Sequence, residues 1–194
     1  MSIDGLAAQL KALNLFGMAT ALAEIRAESP RLTLTPDACL HRLIVAEIAA
    51  RHARSLRYQL TIAKFPIHRD LVGFDWQESP LPQAQVQQLA SAAFMEEAHN
   101  LILVGGTGSG KTHLATAIGV AAIHTGKRIR FYNAVDLVNL LEREKLAGKT
   151  GSLARKLIQA DAVIVDELGY LPFPESGGAL LFHLISQLYE RTSI

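Results

Sequence analysis

Gly105-Gly106-Thr107-Gly108-Ser109-Gly110-Lys111-Thr112 fits the pattern G-x-x-x-x-G-K-[ST], a loop that cradles phosphate, and its surroundings decide the fold. Ahead of it, the apolar run Leu101 to Val104 predicts a short buried strand; behind it, His113 to His124 is Ala-rich and predicts a helix. Strand, loop and helix in that order aim free backbone N–H groups and the positive end of a helix dipole at an anion. Glycines at 105, 106, 108 and 110 permit positive φ and let the main chain approach that anion with no Cβ in the way. Lys111 is then placed to reach the β- and γ-phosphates of a nucleoside triphosphate, and the Thr112 hydroxyl to ligate Mg²⁺. His113 completes the candidate nucleotide-binding stretch, although its side chain also reads as local helix packing. The plain alternative is a Gly-rich turn with an incidental Lys-Thr.

A second element agrees with the first. Ala162-Val163-Ile164-Val165 is a β-branched run ending in Asp166-Glu167, and a wholly apolar strand suits a parallel sheet covered on both faces. Two acids at its carboxyl end would lie beside the loop. Asp166 is the candidate Walker B carboxylate that holds Mg²⁺ through water, and Glu167 the group that orients and deprotonates an attacking water. Acids also end strands simply because they start loops or cap helices.

Composition sets wider bounds. The 194 residues suffice for one good core, or for one domain with a smaller helical partner. Hydrophobic residues make up 49% and charged ones 19%, which excludes a disordered chain. A net charge of +1 carries no global signal for nucleic acid. Cys39 stands alone, so no disulfide framework or Cys-based metal site is expected, and a reduced cytoplasmic setting is the default. No signal pattern opens the chain and no uncharged apolar run reaches the roughly 18 residues of a membrane helix. A soluble, cytoplasmic protein with no membrane partner is expected.

Two parts are expected along the chain: a helical N-terminal domain for DNA or a partner over 1–72, and a nucleotide domain over 83–194, joined by a linker over 73–82. Leu6, Leu10 and Leu13, then Met18, Leu22 and Ile25, recur at helical spacing on either side of Gly17. A further helix begins at Thr35-Pro36, with Thr35 as N-cap and Pro36 in the first turn. Phe65-Pro66 ends the helical stretch, and Gly73 to Pro82, with Trp76 and two prolines, reads as the linker.

One strong charge asymmetry lies in this first part. From Arg51 to Arg69 there are five basic residues, Arg51, Arg54, Arg57, Lys64 and Arg69, and not one acid. At about 100° per residue, Arg51, Arg54, Arg57 and Lys64 fall within an arc of roughly 140°, which makes a one-sided basic helix. Such a face binds DNA phosphates in a salt-dependent, sequence-tolerant way, or else it is a solvated face; spacing alone leaves both open.

In the nucleotide domain, Arg128 to Tyr132 predicts a strand and Val135 to Leu146 a helix with Asn133 as N-cap. Gly148-Lys149-Thr150-Gly151 reads as a flexible basic loop, and Lys149, Arg155 and Lys156 either meet a nucleic acid or a partner's acids, or are merely solvated. The histidines show no metal-ligand spacing. Three βα units in series predict an α/β fold with right-handed crossovers.

Glu47-Ile-Ala-Ala-Arg51-His-Ala-Arg54, Ala63-Lys-Phe65-Pro66, Phe74-Asp75, Asn100-Leu-Ile-Leu-Val-Gly105 and above all Asp166-Glu167-Leu168-Gly169-Tyr170-Leu171-Pro172 resemble the IstB-like family. These are helper ATPases of bacterial insertion sequences, related to DnaC-type replicative helicase loaders in the AAA+ class. The resemblance runs from about residue 5 to the end. It implies a P-loop NTPase of AAA+ type that takes ATP and Mg²⁺, binds double-stranded DNA, self-assembles on it, and recruits or stimulates a cognate transposase. Helicase loading of the DnaC kind and a nucleotide-binding remnant without hydrolysis are the alternative readings.

Members of that family continue for some tens of residues past Tyr189-Glu190-Arg191-Thr192-Ser193, into a strand bearing a sensor asparagine and later an arginine that acts on a neighbour's nucleotide. This sequence stops at Ile194. In the family's strand order, 5-1-4-3-2, that fourth strand separates the P-loop strand from the Asp166 strand. The expectation is a C-terminally truncated chain with an incomplete sheet, each buried unpaired backbone group costing on the order of 1–3 kcal/mol. ATP hydrolysis is then expected to be impaired.

Overall fold

Left-handed backbone residues and prolines punctuate a mostly helical chain. A computed structural model describes residues 3–28, 34–77, 81–169 and 175–194. They form helices α1 (Ile3–Ala12), α2 (Phe16–Ala27), α3 (Pro36–Ala63), α4 (Gln83–Ala90), α5 (Lys111–His124), α6 (Ala134–Leu146), α7 (Ser152–Leu157) and α8 (Glu175–Leu188), with strands β1 (Ile129–Asn133) and β2 (Ala162–Asp166). Two compact units divide between Tyr58 and Gln59, within α3.

In the first unit the break between α1 and α2 falls at Asn14, whose φ is 61°, and not at Gly17. Gly17 lies in the first turn of α2, where a Cβ would come within 2.5 Å of the Ala46 carbonyl oxygen and 2.7 Å of the Glu47 Cα. Glycine is there for close helix approach. Leu15, at the N-cap of α2, has no side-chain acceptor to offer, so the free N–H groups are capped from α3. Glu47 Oε2 accepts from Gly17 N at 2.7 Å and from Met18 N at 3.2 Å. Its other oxygen accepts from Arg51 Nε at 2.8 Å and Arg54 Nη2 at 3.1 Å. The buried carboxylate is therefore neutralised as well as bonded, which is the condition for burying a charge. At the start of α3, Thr35 Oγ1 accepts from Ala38 N at 3.3 Å, in the capping role expected of it.

The second unit begins with the last turn of α3. Lys64, at φ 60°, stops that helix, and Pro66 prevents its renewal. β1 and β2 pair in parallel, with Ile129 opposite Ala162 and Asn133 opposite Asp166. Because strand side chains alternate, Phe131 and Ile164 share one face, and Tyr132, Val163 and Val165 the other. The first face is covered by α5: Gly119 lets the helix come so close that a Cβ would meet Ile164 Cδ1 and Phe65 Cζ at 2.9 Å. Phe65 meets Phe131 edge-on, with ring centroids 6.1 Å apart. Over the second face pack α6, α7 and α8, with Leu137, Leu157, Leu184 and Leu188 at 2% exposure or less. Full burial of one such leucine contributes about 1.5–3 kcal/mol.

The segment expected as a linker is partly structural. Phe74 and Trp76 join Val86, Leu114 and Ile118 in a cluster under α4 and α5, their rings 4.8 Å apart. The unit boundary therefore lies well before residue 73, because Ala63 is buried and Phe65, Phe74 and Trp76 are partly buried in the second unit. Residues 78–80 of that segment, and the Tyr170-Leu171-Pro172 end of the family motif, lie outside the described residues.

Leu101 to Val104 forms no strand, contrary to expectation. Its side chains alternate as a strand's would, Leu101 and Leu103 packing against the α4–α5 cluster while Ile102 and Val104 are 82% and 90% exposed. What is lacking is a ladder. Ser193 bridges Ala162 in parallel, Val163 N donates to Ser193 O at 2.8 Å, and Leu101 N donates to Ile194 O at 2.9 Å. Ser193 and Ile194 thus occupy the slot between β2 and the P-loop segment, and the ladder they start goes no further among the described residues. Among the described residues the sheet is two-stranded, not the three βα units in series that the sequence predicts.

Candidate nucleotide site

Gly110, with φ 81°, is the N-cap of α5, and Gly108, with φ 77°, precedes it; only glycine takes both conformations without strain. The first bond of the helix runs from Leu114 N to Gly110 O at 2.8 Å, so the N–H groups of Lys111, Thr112 and His113 have no helical acceptor. Three groups converge on the Gly106 carbonyl oxygen. Lys111 Nζ donates to it at 2.6 Å, Ser109 Oγ at 2.9 Å and Ser109 N at 3.4 Å. The ammonium is folded back over its own loop, and an incoming phosphate offers it a stronger, charge-assisted partner than a carbonyl.

The two candidate cation ligands meet directly: Thr112 Oγ1 donates to Asp166 Oδ2 at 2.8 Å. Among the described residues there is no group of three or more His, Cys, Asp and Glu positioned to hold a metal ion. A hydroxyl and a single carboxylate nevertheless fit Mg²⁺, which keeps several waters and takes one or two protein oxygens beside phosphate oxygens.

Glu167 has φ 62°, uncommon for a residue with a Cβ and a mark of local strain at the end of β2. Its Oε2 accepts a short hydrogen bond from Asn133 Nδ2, while Asn133 Oδ1 accepts from Val135 N at 2.9 Å and caps α6. The expected cap is therefore also the partner of the candidate base. Sequence reasoning misses this second role; the available signal is that Asn133 ends one strand and Asp166-Glu167 ends its parallel neighbour.

His113 turns away from the loop. Its Nε2 lies 3.1 Å from the Asp70 carbonyl, which requires that nitrogen to donate, and its ring meets Phe74 edge-on at 5.2 Å. Its side chain is engaged in packing, and only its backbone N–H belongs with the loop.

Of the four basic residues expected on one helical face, Arg51, Arg54 and Arg57 lie on α3 at three-residue spacing, and Lys64 does not. Lys64 lies beyond the end of α3 and belongs to the second unit. Arg51 and Arg54 are ion-paired with Glu47, although their side chains remain 59% and 43% exposed. Arg54 also lies over the Phe16 ring, 5.1 Å from its centroid. Arg57 completes the basic set within the first unit. Among the described residues, no helix is long and apolar enough to cross a membrane.

The family described as IstB-like ATP binding protein matches residues 8–194. A protein of Geobacillus stearothermophilus, named for ATP binding and for insertion sequence IS5376, is 34% identical over 80% of this chain and 62% of its own length. One of Pseudomonas aeruginosa, named likewise for insertion sequence IS21, is 37% identical over 74% of this chain and 55% of its own length. A third, of Bacillus thuringiensis subsp. berliner and insertion sequence IS232, is 31% identical over 99% and 77%. The match thus spans little more than half the length of the first two relatives. With a P-loop opening α5, an acid pair closing β2 and a family match over most of its length, the chain belongs to the IstB-like ATP-binding proteins of insertion sequences.

Proposed function

We propose that the chain is an ATP-dependent switch of insertion-sequence transposition, which binds double-stranded DNA, assembles on it, and recruits or stimulates a partner transposase. What supports the ATP-dependent part most is the 2.8 Å contact between Thr112 and Asp166, since it joins the helix end of the P-loop to the acid end of β2. The free N–H groups of the first turn of α5 and the Lys111 ammonium bind the β- and γ-phosphates. Thr112 and Asp166 would hold Mg²⁺, which would supply positive charge to neutralise the phosphate oxygens. Glu167 then orients a water and takes its proton. Asn133 occupies Oε2 and holds the carboxylate at the end of the strand, leaving its other oxygen for the water.

DNA and transposase enter through the family, whose members named above carry insertion-sequence names. Mixing the purified chain with ATP, Mg²⁺ and duplex DNA tests the proposal. DNA-stimulated release of phosphate, together with co-precipitation of the transposase, is expected; turnover indifferent to DNA with no transposase bound would overturn it.

A further inference from the structure

Between the Thr150-Gly151 turn, α7 and the C-terminal end of α8 runs an open groove of about 790 Å³. Two exposed arginines line it, Arg155 from α7 and Arg191 from just beyond α8, along with Tyr189, Ser186, whose hydroxyl donates to Phe182 O at 2.9 Å, and Gln187, whose Nε2 lies 2.9 Å from His183 Nε2. Arg42, Arg51, Arg54 and Arg128 each have a carboxylate partner; among the described residues Arg155 and Arg191 have none. Gly151, at φ 86°, would bring a Cβ within 3.4 Å of Arg155 Nη1, so the guanidinium lies against bare backbone. Lys149 and Lys156, both exposed, adjoin the turn and helix in sequence. One acid, Glu190 at φ 59°, also lines the groove.

We infer that this groove binds the phosphodiester backbone of duplex DNA. The inference rests on the DNA-binding part of the proposed function and gives it a place on the nucleotide-binding unit. Unpaired guanidiniums present forked donors that match phosphate oxygens. Gln and Tyr side chains also bond phosphate and sugar, so the second N–H of Gln187 and the Tyr189 hydroxyl add to the groove's grip on a DNA strand. An acidic peptide gains less from them, because its affinity depends on the two cations. Contacts of this kind carry no base information, and binding through them is sequence-tolerant.

The test is fluorescence anisotropy of a labelled duplex titrated with the full chain over a range of salt, for wild type, Arg155→Gln, Arg191→Gln and Glu190→Gln. Loss of one phosphate contact lowers the slope of log K against log salt by about 1, so each arginine variant is expected to bind more weakly with that smaller slope. Glu190→Gln is expected to bind more tightly. Affinity for a fluorescent ATP analogue stays at the wild-type value in all three. Arg191 lies outside every helix, so its variant gives the readout even if Arg155→Gln fails to fold. Wild-type affinity and slope in both arginine variants would overturn the groove while leaving DNA binding intact. A wild-type chain that binds no duplex at any salt would overturn both. Poly-glutamate that binds the groove and is not displaced by duplex would overturn the groove alone.

Discussion

Thr112 Oγ1 and Asp166 Oδ2 are hydrogen-bonded at 2.8 Å although 54 residues separate them in the chain. The contact follows from the register of the sheet. Asn133 lies opposite Asp166, and Asp166 falls on the same alternating face as Phe131 and Ile164, which is the face covered by α5. The first turn of that helix carries Thr112 to the carboxyl end of β2. The two candidate cation ligands are thus brought together by strand pairing and helix packing.

Glu167→Gln keeps the size of the side chain and removes its basicity. Nucleotide affinity is expected to stay within about twofold of wild type, while turnover falls by roughly 10²–10⁴, the usual contribution of a general base. Parallel measurement of fluorescent-ATP binding and of phosphate release separates the two. Equal turnover in both proteins would remove Glu167 from the chemistry.

Asn133 has two jobs that substitutions split. Asn133→Ala loses the cap of α6, worth about 1 kcal/mol, and frees Glu167. Asn133→Ser keeps a capping oxygen and loses only the amide donor, so it is expected to unfold close to wild type yet hydrolyse ATP at an altered rate. Thermal melts and steady-state turnover of the pair check this; a serine variant with wild-type turnover would leave Asn133 as a cap alone.

Gly17→Ala places a methyl 2.5 Å from the Ala46 carbonyl oxygen and 2.7 Å from the Glu47 Cα, backbone atoms of α3 that cannot swing aside as a side chain would. A loss of about 1–3 kcal/mol in the first unit is expected from overpacking, measurable as an earlier urea transition by circular dichroism. Nucleotide binding, which belongs to the second unit, is expected to be unchanged.

Glu47 gives the first unit an acid-sensitive joint. Its bond from the Arg51 guanidinium lowers its pKa from the ordinary glutamate value; burial opposes this, and the N–H groups of Met18 and Gly17 lower it further. A depressed folded-state pKa means that the stabilisation is fully present above the unfolded pKa, about 4.3, and is lost as pH falls through the folded value. Melting temperature is expected to drop below about pH 4 in wild type, and less steeply in Glu47→Gln, which begins lower at pH 7. Parallel pH profiles for the two proteins would contradict this.

Local features were legible in the sequence. The Gly-rich loop and α5, the Thr35 and Asn133 caps, β1 and β2 each depend on residues within a few positions of one another. Glu47 was not, because its partners Gly17 and Met18 are 30 and 29 residues away and an acid inside a helix looks solvated until the other helix is in place. The unit boundary at Tyr58 was hidden for a similar reason: α3 runs through it with no glycine or proline to mark it. Phe74 and Trp76 resembled a linker by composition, yet their rings supply the wall beside His113. Leu101 to Val104 has the composition of a strand, but a ladder also requires paired neighbours, and among the described residues its backbone bond is that of Leu101 N to Ile194 O.

The central claim, that the P-loop and the acids of β2 form one Mg²⁺-nucleotide site, is tested most directly by titrating ATP into the full chain by calorimetry, with Mg²⁺ and with EDTA, for wild type and Asp166→Asn. Wild type is expected to bind more tightly with Mg²⁺ by about 1.5–3 kcal/mol, the worth of interactions with charged groups, and Asp166→Asn to lose most of that difference. Equal affinity in Mg²⁺ and EDTA for wild type, or an undiminished Mg²⁺ effect in Asp166→Asn, would contradict it.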